Sequence, residues 1–364
     1  MYRDREGMMP FTINRVSALL AVPFLFLLLT NCGSTGTPGT ISTAAGTTAN
    51  TSTDTYTRIV ATIKAGDYAG AEQELRAITS PYAEPDSMTY GCKFYLEFKR
   101  GNMQEAFQLA KAASHADPEF STIFLGDTGA TNLYIGALLN DHVYANGQAT
   151  SGPARLAVRE TERMISAFPS VEAKALNISA RYRVIQYDQA DDQYPALLAD
   201  AKQLAQQYPH NAGLANQVAD LTRNVDGPAA AVAWRDKALA QLPASDNRLS
   251  CSILYERGTD LMLSSQWHEA IDNYHELLRR AGVEGQAGTV SQSAPEVAYA
   301  VKSTWLGLAR AHGELGEIDK CIEYLKKTEY RGVSDGNFIR QDMYLKHLSG
   351  NAEFQRFLNE HYGR

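Results

Sequence analysis

Leu254, Gly258 and Leu261, a break at Ser265-Gln266, then Trp267, Ala270, Tyr274 and Leu277: this stretch decides the fold. Apolar residues recur at three- and four-residue steps on both sides of the break, the period of two short helices joined by a turn. The second half of the pattern recurs along the chain. Gly66-Asp67-Tyr68 leads to Ala71, Gly101-Asn102-Met103 to Ala106, and Gly316-Glu317-Ile318 to Cys321. Each copy reads turn residue, polar residue, bulky apolar residue, two spacers, small residue. Self-similarity at such spacing predicts an array of helical hairpins rather than one globular core.

Prolines punctuate the same array. Pro118, Pro169, Pro209 and Pro243 each follow a helical run, and proline cannot continue a helix because it lacks the N–H and crowds the preceding turn. Within units, Tyr90, Phe94 and Phe98 fall on one helix face, and Ala106, Ala110 and Ala113 offer a flat one. The small-residue slots run Ala71, Ala106, Ala157, Leu197, Ala231, Ala270 and Cys321, at steps of 35, 51, 40, 34, 39 and 51 residues. Six to eight hairpins are expected. Two steps are long enough for insertions, at Glu119–Thr131 and Gly282–Pro295. The first contains Gly126-Asp127-Thr128-Gly129, read as a helix start, since no strand precedes it and no Gly-Lys-Ser/Thr follows.

These markers resemble the tetratricopeptide repeat family across nearly all of residues 55–330. The resemblance implies an all-α solenoid of antiparallel helix pairs over residues 54–330, closed by a helical cap over 331–364 in which Phe354, Phe357 and Leu358 cover the last apolar face. It also implies that the first helices of successive pairs line a groove that holds a partner. Carrying the family's groove positions onto this chain gives Tyr95 and Lys99, then Asn216, Asp220, Arg223 and Asn224, then Tyr255, then Arg310 and Glu314.

The amino-terminal 31 residues read as an export signal: Arg3, Arg5 and Arg15, then an apolar run from Val16 to Leu29 broken only by Ser17 and Pro23. That run is shorter than the roughly 20 residues a bilayer requires. Leu29-Thr30-Asn31-Cys32-Gly33 resembles the lipobox of bacterial lipoproteins, with Asn31 departing from the usual small residue before the cysteine. The resemblance implies acylation of Cys32, and Gly33 after it favours the outer membrane. Residues 33–53 are almost entirely Gly, Ser, Thr and Ala, a composition too poor in apolar surface to order itself. As a tether it would reach roughly 25 Å.

The chain carries a formal charge of −7, which argues against nucleic acid as the main partner. Arg155, Arg159 and Arg163 lie at helical spacing but share their face with Glu160 and Glu162, so a charge-mixed solvated face is expected. Cys92, Cys251 and Cys321 stand at no metal-like spacing and read as buried thiols. His268 and His275 lie two turns apart, about 10 Å along a helix, too far to share a metal. Asp188, Asp191 and Asp192 lack the spacing of a calcium loop and read as a cap for the next helix. No catalytic, metal or cofactor motif is present. The expectation is a non-enzymatic interaction scaffold of the bacterial envelope, lipid-anchored and facing the periplasm, whose partner is a protein or peptide. The alternative is a substrate-binding lipoprotein with a pocket lined by Tyr134 and Tyr144.

Overall fold

The computed structural model describes residues 51–79, 86–116, 124, 127–140, 144–145, 148–243, 246–283, 295–329 and 336–362. The signal segment, Cys32 and residues 33–50 of the expected tether lie outside them, as does most of the Gly282–Pro295 insertion; the last residues assigned to the tether, Thr51 to Thr53, instead form the start of a helix.

Among the described residues sixteen α-helices follow one another, and sequence neighbours pack together. Seven hairpins can be counted. They are α1 (Thr51–Lys64) with α2 (Tyr68–Ile78), α3 (Ser87–Arg100) with α4 (Met103–Ala116), and α5 (Thr128–Leu139) with α6 (Gly152–Ala167). Next come α7 (Val171–Asp188) with α8 (Tyr194–Gln207), and α9 (Ala212–Val225) with α10 (Pro228–Ala240). The last two are α11 (Asn247–Leu263) with α12 (Trp267–Arg280) and α13 (Pro295–Glu314) with α14 (Ile318–Glu329). A short α15 (Gly336–Gln341), a 3-10 turn and α16 (Ala352–Tyr362) end the chain. The only strands among the described residues are Tyr144–Ala145 and Gln148–Ala149, paired as a minimal hairpin between α5 and α6. First helices also touch first helices, α1 with α3, α5 with α7, α7 with α9 and α11 with α13. The arrangement is all-helical and compatible with a helical solenoid.

The repeated pattern explains the hairpins residue by residue. All four quoted turn residues, Gly66, Gly101, Ser265 and Gly316, have positive φ. That conformation ends one helix and reverses the chain into the next; glycine adopts it freely, whereas Ser265 does so against its Cβ. All seven small-residue slots, on α2, α4, α6, α8, α10, α12 and α14, are fully buried. A large side chain there tends to hold helices apart; the one large residue, Leu197, is buried in a cluster that also contains the small Ala201 and Ala205 of α8. Pro169, Pro209 and Pro243 lie just beyond the ends of α6, α8 and α10.

Two elements depart from a plain array. In α5 every residue from Ala130 to Leu139 is buried, whereas a helix lining an open face exposes one side. Phe124 accounts for part of the cover: its ring lies 4.9 Å from Phe94, 6.1 Å from Tyr95 and 5.9 Å from Tyr134. The first insertion therefore sends an anchor into the core. It also starts α5 as expected, Asp127 accepting from the Ala130 N–H at 3.1 Å. The second departure is the Asp188–Asp192 segment. Asp188 pairs with Arg155, Asp191 begins a 3-10 turn, and Gln193 stands at the N-cap of α8 with no side-chain bond. The aspartates do not cap that helix; Tyr194-Pro195 starts it instead, proline being preorganised for the first turn.

At the far end, Phe354, Phe357 and Leu358 are buried in the same core as α14, and the outward residues of α16 are polar. The three described thiols are free and buried. Burial pushes Cys92 and Cys321 up to about 12 and Cys251 to about 11, far from the thiolate form that reacts.

Candidate interaction face

The residues assigned to the groove do fall on the first helices, and most are committed to one another or to the adjoining pair. Tyr95 and Lys99 of α3 both meet Asp127 at the head of α5, the hydroxyl at 3.1 Å and the ammonium at 2.8 Å. Burial acts to raise the Asp127 carboxyl, but Lys99, the Ala130 N–H and Tyr95 hold it below its usual range. Tyr95 is itself buried, so only Lys99 of this pair reaches solvent.

Next along the face, Gln217 of α9 donates to Ser179 of α7 at 2.8 Å, and Asn224 donates to the Tyr182 hydroxyl at 3.3 Å. Asn224 remains exposed. Tyr255 of α11 is buried with its ring nearly perpendicular to Tyr299 of α13, centroids 6.1 Å apart, and Ser303 bonds both hydroxyls. Arg310 of α13 reaches Asp342 through Nη2 at 2.6 Å and Nε at 2.9 Å, and its guanidinium lies over the Tyr344 ring at 5.6 Å. Glu314 stands 4.0 Å from His347. The inner layer is thus stitched sideways, pair to pair, by the side chains that sequence reasoning assigned to a partner.

The densest stitch was not foreseen. Arg235 of α10 is wholly buried, and its guanidinium serves Asp260 at 3.1 Å, Asp220 at 2.5 Å, the Asn216 carbonyl at 3.2 Å and the Asn216 side-chain oxygen. Arg223 of α9 bonds Asp260 through Nε and Glu256 through Nη2 at 2.9 Å. Asp260 is wholly buried, whereas the side chains of Glu256, Arg223 and Asp220 keep 13, 21 and 22% of their surface exposed. Burial pushes the Glu256 carboxyl up despite its two arginine neighbours. Burial acts to lower both guanidiniums, but the surrounding carboxylates hold each above the ordinary arginine range. Two of the four assigned residues here, Asn216 and Arg223, therefore serve the interior, Asp220 sits at the mouth, and Asn224 faces outward.

One signal could have exposed this cluster. Asp260 immediately precedes the apolar run Leu261-Met262-Leu263 and lies two residues after Gly258, a place where a carboxylate requires a buried partner. That Arg235 is the partner is not legible, because the two are 25 residues apart on different pairs.

On α6, Arg159, Glu162, Arg163, Ser166 and Ala167 line an open surface depression. Arg163 pairs with Glu160 and Arg155 with Asp188; Arg155, Arg159 and Glu162 are exposed as expected, but Glu160 is buried and does not belong to the solvated face. Tyr134, assigned to a pocket in the alternative reading, is fully buried against Phe124, and the side chain of Tyr144 lies outside the described set. Among the described residues no group of three or more His, Cys, Asp or Glu is placed to hold a metal, and no helix is long and apolar enough to cross a membrane.

No protein-family model and no curated protein matches the chain, so any functional reading stands on these residues and their geometry.

Proposed function

We propose that this chain is a lipid-anchored protein of the bacterial envelope whose tetratricopeptide-like solenoid holds a protein or peptide partner and catalyses no reaction. The observation that carries the reading is the set of polar and aromatic side chains on the first helices α9, α11 and α13. Asp220, Arg223, Asn224, Glu256, Tyr299, Arg310 and Glu314 keep part of their surface accessible while most are pinned by neighbours. A pinned side chain loses little rotamer freedom on binding, at about 0.5–1.5 kcal/mol saved for each. Such a face presents a fixed pattern of charge, amide and ring edge, which suits recognition.

Capture from envelope extract tests the partner reading. Asn224→Trp combined with Glu314→Lys alters two accessible side chains outside the buried cluster. Loss of a stoichiometric protein partner, with the melting temperature within about 2 °C of wild type, is expected. Reversal at Arg223 would not serve, because it would disrupt Asp260 and Glu256 inside the fold. Unchanged capture by the double variant removes the groove reading. A small molecule that raises the melting temperature, with no protein captured, installs the substrate-binding reading in its place.

The anchor rests on the Leu29–Gly33 resemblance and the composition of residues 33–53. Each buried acyl methylene contributes about 0.8 kcal/mol, and stable attachment requires more than one chain. Cys32→Ser should therefore move the protein from the membrane fraction, and from the outer membrane in particular, to the soluble periplasmic fraction. An unchanged distribution, followed by immunoblot, would reject the lipid anchor and its localisation together.

A further inference from the structure

The apolar core is not uniform along the chain. Large clusters run through α1–α7, α7–α9 and α11–α16. Where α9 and α10 meet α11, the separate buried cluster shrinks to Ala212, Ala215, Ala238, Leu249 and Ile253. Beside this small apolar cluster lies the Arg223–Arg235 cluster, the most deeply buried of the charged contacts described between helix pairs.

The charges in it do not balance. Two guanidiniums face three carboxylates, leaving one negative charge in excess inside the protein. The carboxylates are unequal. Asp260 uses one oxygen for each arginine, and Asp220 has Arg235 at 2.5 Å and an open side toward solvent. Glu256 is the odd group: it has one guanidinium bond, to Arg223, stands 3.8 Å from Arg235, and is more enclosed than Asp220. Facing it are Asp220 and Arg223 from α9, Arg235 from α10, Asp260 and Tyr255 from its own helix, Tyr274 from α12 and Tyr299 from α13. Tyr182 of α7 faces Asp220 and Arg223 from the other side.

We infer that the cluster binds one proton, at the Glu256 carboxyl, and that this proton tightens the joint between the fifth and sixth helix pairs. With it the cluster is neutral; without it an uncompensated charge stays buried, which opens the joint toward water. The array then stiffens as pH falls toward the ordinary carboxylate range and loosens as it rises, whatever partner it holds.

The direction follows from linkage. Burial raises the Glu256 pKa above that of the unfolded chain, so folding takes up a proton, and this contribution is lost as pH rises through the folded value. His312 works in the opposite sense: burial lowers its pKa even though Glu317 contacts it at 2.6 Å. Comparison with a variant isolates Glu256. Melting of the whole chain between pH 5.5 and 8.5 should show Glu256→Gln, a neutral mimic of the protonated acid, about 2–4 °C above wild type at pH 8.5 and close to it at pH 5.5. A variant equal to wild type or less stable at pH 8.5 overturns the inference. Hydrogen exchange of the wild type gives an arm independent of the variant. Protection across α9 and α11, corrected for intrinsic rates, should fall between pH 5.5 and 8.5 relative to α3 and α4, and equal change in both regions also overturns it.

Discussion

Gly258→Ala is expected to lower the melting temperature by about 5–10 °C, and Gly258→Leu to prevent folding of the sixth helix pair. On helix propensity alone the alanine variant should gain about 1 kcal/mol, so the sign of the change separates the two effects. A Cβ at Gly258 would lie 2.2 Å from Cε1 of Tyr274, 2.6 Å from its Cζ and 2.8 Å from Nδ2 of Asn273. Tyr274 cannot retreat. On its other side a Cβ at Gly307 would come within 2.6 Å of the same ring, so two glycines on neighbouring first helices clasp one tyrosine. Asn273 is equally fixed, donating to the Leu254 carbonyl at 2.7 Å and accepting from Arg257 at 3.2 Å. Overpacking of this kind forces backbone shifts that cost about 1–3 kcal/mol. Thermal denaturation followed by circular dichroism measures it. If Gly258→Ala melts with the wild type, the clasp is not a determinant of the array. Replacing Tyr274 with Leu in the same chain should recover part of the loss, because the two positions share one contact.

Arg235→Met should destabilise by about 3–5 kcal/mol, since removing one member of a buried charge network leaves its partners uncompensated. Here Asp260 would retain only Arg223, Asp220 would lose its 2.5 Å bond, and two oxygens of Asn216 would lose their donor. Methionine fills most of the volume, so the loss reports charge and hydrogen bonding rather than a cavity. Arg235→Lys should fall between the two, because an ammonium cannot spread along the edge that a planar guanidinium presents. The deficit of Arg235→Met should shrink as pH falls from 7 toward 4, as the stranded carboxylates are relieved by protonation. Denaturant unfolding at both pH values reads this directly. A deficit that is small, or that grows in acid, would show that the cluster is not a buried network of opposed charges.

The alternation of large and small residues was enough to locate every second helix. Ala71, Ala106, Ala157, Leu197, Ala231, Ala270 and Cys321 are all fully buried, including the degenerate central slots. Local rules suffice there because a tight turn, a helix start and a small contact residue all lie within six positions of one another. The helix-start reading of Gly126–Gly129 succeeded for the same reason, Asp127 being three residues from the amide it caps. Phe124 was passed over because it lies in a segment without periodicity, and only the rings around it mark it as core. The aspartates before α8 were misread because a capping residue and an ion-pair partner look alike until Arg155, 33 residues earlier, is placed beside Asp188.

For the inner face, the resemblance to the repeat family implied which positions of the first helices line it, and those positions do lie on the first helices. Whether those side chains await a partner or bind the fold was settled by packing. Lys99 with Asp127, Arg223 with Glu256, Arg235 with Asp260 and Arg310 with Asp342 are separated by 25 to 33 residues. Such pairs form only once adjacent hairpins have stacked in one register, a distance at which hydrophobic patterning carries no information about charge. Hairpin number, turns and buried slots therefore come from short-range chemistry, whereas the assignment of each polar group to interior or surface comes from the stacking of one pair on the next.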